Sequence, residues 1–472
     1  MLRNASESVI GISSKNPHYF QYKGKEILLI TSAEHYGAAV NKRFDYVKYF
    51  DTLAKYGLNY TRIYPGAFIE SPGSWAYDDP LVPAADVIVP WARSGVPGYI
   101  GGGNKFDLEK WDPEYFTRLS DFLTEAGKRD IIVEICFFNC QYVEQWPYSP
   151  LYRDCNIQGV GDCDFLTCQT LNNKPLVREH LKYIEKIIFE TNEFDNVIYE
   201  FVDEPTLFLN KSRETYEWIC KLIDTAVATE RNLPKKHMLA QQLELGIDFC
   251  DDDRVSIITT QYILMCSRQV GGVTALNNCY AYEKPIEINE TFFLPQWYVP
   301  DDPIAISRLD AWEFMIGGGA AFNQLNGYFT LSNPTGENEI NCNILTSLKN
   351  LREFLESFDY IKMYRDTTTV RKVSIGANIN MISEKGKQYA MYLHHCFPNF
   401  GDFSHTRYEP FYGEYEPRIT LRLDKGDYNV TFIEPASARV IGECEIKCDG
   451  EEIELACPCY TLDLAVKIIS KE

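Results

Sequence analysis

Two stretches of the chain place a carboxylic acid where a run of β-branched and aromatic residues gives way to a loop. One is NVIYEFVDEP, with Asp203, Glu204 and Pro205; the other is PIEINET, with Asn289, Glu290 and Thr291. Two carboxyls facing one cavity have a definite use. One, protonated, can give its hydrogen to a departing oxygen, while the other, ionised, attacks the carbon left behind. This is the chemistry of glycosidic bond cleavage, and a separation of about 5–5.5 Å between the carboxyls leads to retention through a covalent intermediate. The acid must stay protonated at the working pH, and a second carboxylate nearby supplies the necessary rise in pKa. Glu200 and Glu287 are rivals on the same two runs, but strand alternation directs them away from the strand-end position. Taken alone, Glu204 before Pro205 also suits the first turn of a helix, where the macrodipole favours a carboxylate.

The elements that must hold such a pair alternate from about residue 27 to residue 358. Eight strand candidates are EILLIT (26–31), NYTRIY (59–64), IIVEICFF (131–138), NVIYEFV (196–202), MLAQQL (238–243), VSIITT (255–260), PIEIN (285–289) and AAFNQL (320–325). Between them, helical spacing of apolar residues runs over 113–128, 174–190, 212–229 and 341–358, with Pro175 in a first turn where its missing N–H costs nothing. No clear helix follows the sixth strand. Eight strand–helix units predict a (β/α)8 TIM barrel of parallel strands, with reactive groups at the strands' C-terminal ends. Those ends offer Glu34 and His35 after strand one, Arg62 on strand two, Asp203 and Glu204 after strand four, and Tyr262 after strand six. Glu290 follows strand seven, and Asn323 and Asn326 belong to strand eight.

After about residue 360 the helical period stops. Short alternating runs such as KVSIGANINMI, QYAMYLHHC, PRITLRL and DYNVTFIEP replace it, separated by turns such as Lys425-Gly426-Asp427. The expected organisation is a barrel over 1–360, opened by a hairpin turning at Lys23-Gly24, and a small antiparallel β-sandwich over 361–472.

The bulk composition narrows the partners. A formal charge of −21 and a pI near 4.9 make nucleic acid a poor partner, and anionic membranes likewise. No stretch is long and apolar enough to span a bilayer. The N-terminal residues lack the pattern of a secretory leader, so the expected location is the cytoplasm, or outside the cell if a leader has been removed. Fifteen cysteines, an odd number with many in core-like contexts, fit buried thiols better than a disulfide framework. Cys444, Cys448, Cys457 and Cys459 could be read as a metal cluster, but their spacing also suits strand alternation. Aromatic residues make up 14% of the chain, enough to supply flat faces for sugar rings as well as a core. Trp75, Trp91, Trp146 and Trp297 are the candidate platforms. The long loop over 65–110 is a candidate functional segment, and its glycines 101–103 lack the Lys-Ser/Thr of a phosphate cradle.

NVIYEFVDEP and KPIEINE together resemble the strand-four and strand-seven motifs of the clan A retaining glycoside hydrolases, in particular the family-5 cellulases. GLNYTRIY is similar to their strand-two segment with its buried arginine, and AWEFMIGGGAAF to their helix-seven region. The resemblance implies Glu204 as acid/base, Glu290 as nucleophile, Arg62 holding Glu290 ionised through charge-assisted hydrogen bonds, and Tyr262 orienting it. It also implies a C-terminal β-sandwich. Two departures stand out: Asp203 replaces the family's asparagine before the acid/base, and Thr260 replaces a histidine two residues before the tyrosine. A carboxylate only accepts hydrogen bonds where the amide would donate to the sugar 2-hydroxyl, so the sugar site should differ from that of an ordinary cellulase.

The expectation is therefore a retaining β-glycosidase that hydrolyses a neutral glycan or glycoside by double displacement, with no cofactor and a carbohydrate as its partner; self-association is left open. Asp203, Arg62, Tyr262, His35, Asn323, Trp146 and Trp297 are the expected substrate-binding or supporting residues. Two rival readings are a catalytically inactive carbohydrate-binding barrel and a metal-dependent barrel hydrolase using Glu34, His35, Asp203 and Glu204. His180, His394 and His395 are expected to be structural.

Overall fold

The computed structural model describes residues 8–35, 37–71, 86–205, 212–264, 270–291, 302–399 and 407–471. Its centre is one eight-stranded parallel sheet. The strands are β1 (Leu29–Ala33), β2 (Tyr60–Ile63), β3 (Ile132–Asn139) and β4 (Val197–Asp203), then β5 (Leu239–Gln242), β6 (Ile257–Gln261), β7 (Ile286–Glu290) and β8 (Ala321–Leu325). They are hydrogen-bonded in the order β1-β8-β7-β6-β5-β4-β3-β2. The seam between β1 and β2 is closed by the Asn59 side chain, whose Oδ1 accepts from the Ile30 N–H and whose Nδ2 donates to the Leu28 carbonyl. All eight strands expected from the sequence are present, and the fold is the TIM barrel with further antiparallel sheets at its C-terminal side.

Around the strands lie α1 (Tyr46–Lys55), α2 (Pro113–Gly127), α3 (Lys174–Thr191), α4 (Ser212–Arg231), α5 (Gly272–Cys279), α6 (Pro303–Ile316) and α7 (Glu339–Glu356). Their starts are written locally. Asp112, Asn173 and Asp302 accept hydrogen bonds from first-turn amides, and each is followed within two residues by a proline in the first turn. The sixth strand does have a helix after it. With eight residues, α5 is too short for its spacing to stand out in the sequence.

Before β1, strands Gly11–Ile12, Phe20–Tyr22 and Lys25–Ile27 form a small sheet whose hairpin turns at Lys23 and Gly24, both at positive φ (49° and 73°). It covers the lower mouth of the barrel: the Ile10 N–H donates to the Asp195 carbonyl just before β4, and Lys23 pairs with Asp130 just before β3. Within the long loop after β2, Trp91–Pro97 and Asn104–Trp111 form a two-stranded ribbon.

From Tyr364 onward the chain is antiparallel, with one six-stranded sheet and smaller ones beside it, enclosing a core that includes Met391, Leu421, Val430 and Ile468. The barrel helix facing these sheets, α6, is buried on every side. Arg308 pairs with Asp463 at 2.8 Å, Glu313 with His394 at 2.9 Å, and Trp312 packs on Tyr392.

Candidate active site

The barrel interior is polar where many barrels are filled with branched aliphatics. In the lower layer, the Tyr60 hydroxyl bridges the carboxyls of Glu134 and Glu287. All three side chains are fully buried or nearly so. Burial pushes Glu287 up to about 7, eased by the Tyr60 hydrogen bond, and holds Glu134 well above the usual carboxylate range. One layer higher, Arg62 reaches Glu200 through Nε (2.7 Å) and Nη2 (2.6 Å), with no solvent exposure on either side. Burial raises Glu200 to about 8 despite that partner. Glu200 and Glu287 thus point into the barrel beneath the strand ends.

At the strand ends the sequence candidates converge. The same Arg62 Nη2 lies 2.9 Å from Asp203 Oδ1, and Arg62 Nη1 lies 3.4 Å from Glu290 Oε2. Tyr64, two residues beyond Arg62 and so on the same face, donates to Asp203 Oδ2 at 2.6 Å. Arg62 does reach Glu290, but the guanidinium's shorter contacts go to Glu200 and Asp203. Burial, then the charges of Asp203 and Glu204, hold the Glu290 carboxyl well above its ordinary pKa, and Arg62 only partly offsets this.

Glu204 follows β4 with φ at 47°, a left-handed conformation that a residue with a side chain adopts only when its surroundings enforce it. The enforcing group is Gln242 at the end of β5, whose Oε1 accepts the Glu204 N–H at 2.8 Å. The Cys140 thiol lies 3.5 Å from Glu204 Oε2. Tyr262 is also left-handed, at 61°, directly after a register slip at Thr260/Gln261 in β6, and its N–H donates to the Glu290 carbonyl at 2.8 Å. Tyr262 is therefore tied to the Glu290 backbone.

His35 and Asn323 act as a unit. Asn323 Nδ2 donates to the Asn289 carbonyl at 2.9 Å, which fixes that atom as the amide nitrogen, and it lies 2.7 Å from His35 Nε2. Nε2 must then accept, so the proton sits on Nδ1, which lies 3.7 Å from Glu290 Oε2. Burial and the Arg62 charge push the histidine well below its ordinary pKa, so it stays neutral. Asn323, a candidate substrate residue, has its amide nitrogen engaged by His35 and the Asn289 carbonyl.

Other candidates are redistributed. Trp146 is 4% exposed, donates its indole N–H to the Cys163 carbonyl and sets its ring against Tyr152, so it holds its own loop together rather than presenting a face to a sugar. Trp91 is packed between Trp111 and Tyr183. Trp75 and Trp297 lie outside the described residues. The Glu34 carboxylate accepts the N–H groups of Gly37 (2.6 Å) and Ala38 (2.8 Å), bracing its own turn. A metal-dependent reading thereby loses one of its four ligands, and among the described residues no His/Cys/Asp/Glu group has the arrangement of a metal site. Cys448 points its thiol to the carbonyls of Leu423 and Glu451. His180 accepts from the Trp218 indole, and burial lowers it to about 3.

Four neighbours escaped the sequence reading: Tyr64, Cys140, Gln242 and Glu70, the last holding the Tyr142 hydroxyl at 2.8 Å. Tyr64 and Gln242 carried a signal, since each stands at or just beyond the C-terminal end of a barrel strand. Glu70 and Tyr142 sit in loops, where spacing says nothing about contact.

The fold and this cluster of carboxyls at the upper mouth define the class to which the chain is similar: it has the fold of the family-5 glycoside hydrolases. No protein-family model matches it, and no curated protein matches it by sequence. Among solved structures, a family-5 glycoside hydrolase from Bacteroides vulgatus ATCC 8482 superposes with a TM-score of 0.62 at 10% identity, covering 98% of this chain and 94% of that one. A protein described as a glycoside hydrolase gives 0.60 at 9% identity, with 98% and 97% covered. A putative glycoside hydrolase from the same Bacteroides strain gives 0.58 at 12%, with 99% and 83% covered.

Proposed function

We propose that the chain is a glycosidase that cleaves a β-glycosidic bond with retention, using Glu204 as acid/base and Glu290 as nucleophile. The observation that carries this reading is the meeting of the ends of β4 and β7 at the upper mouth of the barrel, where Glu290 lies 3.4 Å from the buried Arg62 and the neighbouring Asp203 and Glu204 charges act on its carboxyl. Burial and the neighbouring charges raise the proton affinity of Glu290, so the cluster holds a proton to a higher pH than a free carboxylate would. In this reading the proton sits on Glu204 and Glu290 is ionised, which gives one acid and one base at the same mouth of the barrel.

In the first step the Glu204 carboxyl gives its proton to the glycosidic oxygen, and a Glu290 oxygen bonds to the anomeric carbon as the bond to the leaving group breaks. In the second, the Glu204 carboxylate takes a proton from water, whose oxygen displaces Glu290. Arg62 and the His35 Nδ1–H offer positive charge and a donor to Glu290 as it leaves. Tyr64 and Arg62 hold Asp203, which can only accept from a sugar hydroxyl or other donor. The fold of the family-5 structures supports the glycosidase reading.

Azide separates the two roles. With an activated aryl β-glycoside, Glu290→Gly plus azide should yield the α-glycosyl azide, because azide attacks from the vacated face. Glu204→Ala plus azide should yield the β-azide, because the glycosyl-enzyme still forms. Proton NMR of the wild-type product should show the β-anomer first. An α-anomer first, or no turnover across a panel of aryl glycosides differing at C2 and C4, would remove the proposal.

A further inference from the structure

Below the barrel, on the face opposite the carboxyl cluster, two thiols meet that the proposed chemistry does not use. Cys250 lies in the turn that leads into β6, and Cys279 is the last residue of α5. Their sulfurs are 3.5 Å apart, with Cys250 donating, and both side chains are buried, at 2% and 7% exposure. The residues are 29 apart in sequence. No helix lies between β5 and β6, and α5 itself has only eight residues. The other end of α5 reaches the carboxyl cluster: Gly272 N–H donates to the Tyr262 carbonyl at 2.8 Å and Val273 N–H to the Ile263 carbonyl at 3.1 Å. Tyr262 is in turn bonded to the Glu290 backbone. One short helix therefore runs from the paired thiols to the residue beside Glu290.

We propose that Cys250 and Cys279 form a thiol–disulfide site, whose oxidation staples α5 to the turn before β6. A disulfide needs its sulfurs at about 2.0 Å, a short closing movement from the observed contact. The Cys250 hydrogen bond favours the thiolate of Cys279 and lowers its pKa, while Cys250 itself is held as the thiol by the same bond and by burial. Cys279, the more exposed of the two, is thus the attacking sulfur. With oxidised glutathione as oxidant, the Cys279 thiolate attacks one glutathione sulfur and expels a glutathione thiolate. Cys250 then gives up its proton and attacks the Cys279 sulfur, expelling the second glutathione. Two protein thiols become one disulfide, and one oxidised glutathione becomes two reduced molecules.

The test uses the whole folded chain, equilibrated with oxidised glutathione and then denatured in N-ethylmaleimide. Mass spectrometry should find two fewer alkylated cysteines and a peptide pair joined through Cys250 and Cys279. The melting temperature should rise by several degrees, since the link removes conformations from the unfolded chain, and dithiothreitol should reverse both changes. Cys250→Ser and Cys279→Ser should each lose the linked peptide and the oxidant-dependent rise, whatever their own melting temperatures. Glutathione left on Cys279 without closure, a link between other cysteines, or a link that leaves the melting temperature unmoved would each overturn the proposal. None of these readings depends on glycosidase activity.

Discussion

His35 shows how much of the site is set by single hydrogen bonds. Because the Asn323 nitrogen must donate to both the Asn289 carbonyl and His35 Nε2, the imidazole is fixed with its proton on the side of Glu290. At 3.7 Å the Nδ1–H is beyond hydrogen-bond reach of Glu290, and its dipole favours the ionised form of the glutamate. His35→Phe should therefore raise the proton affinity of Glu290 and shift the acidic limb of the kcat/KM profile to higher pH. A profile whose acidic limb stays in place would mean that the histidine only packs. Glu204→Gln keeps the shape but removes the proposed acid. It should lower kcat/KM by about 10²–10⁴-fold on substrates with poor leaving groups, and by much less on activated aryl glycosides, as steady-state assays on the two substrate types will show.

At the scale of elements, β2, β3, β4 and β7 carry charge into a layer that usually holds aliphatic side chains. Glu287 near 7 and Glu200 near 8 are both raised by burial, so the fold favours their protonated forms. Their contribution to stability is complete below the ordinary carboxylate pKa and is lost as pH rises through about 7 to 8. Thermal unfolding followed across pH 5 to 9 should show the melting temperature falling over that window. Glu287→Gln, which keeps the hydrogen bond to Tyr60 without an ionisable proton, should flatten the fall, whereas general repulsion from the net charge of −21 would leave the slope unchanged. This layer was not foreseen. Strand spacing sets Glu200 and Glu287 back from the strand ends, but carries no sign that Tyr60 and Arg62, from a strand distant in sequence, receive them.

Across the whole molecule, α6 is the element on which barrel and C-terminal sheets meet. It is buried on every side, and two of its ionisable residues are matched across the contact: Arg308 to Asp463, Glu313 to His394. Removing one partner of such a buried pair strands the other charge. Arg308→Ala should cost about 3–5 kcal/mol, read as a fall in the denaturation midpoint. If the two parts unfold as one unit, the transition should stay single; two separated transitions in Arg308→Ala would show that this contact couples them.

The order of elements was written in the chain: eight β-branched runs, helices opened by Asp or Asn before Pro, a hairpin at Lys23-Gly24, and the change of period after residue 360. These are local signals, set by backbone preference and by the spacing of apolar residues. The candidacy of Glu204 and Glu290 was equally local, since a strand's end is where a barrel exposes side chains. What only the tertiary structure decided was how the charges are shared. Arg62 divides itself among Glu200, Asp203 and Glu290, Trp146 turns into its own loop, and Asn323 serves His35. Each outcome depends on which side chains from distant strands arrive within about 3 Å of one another, and burial then makes those few contacts govern protonation. Spacing along one strand carries no record of that.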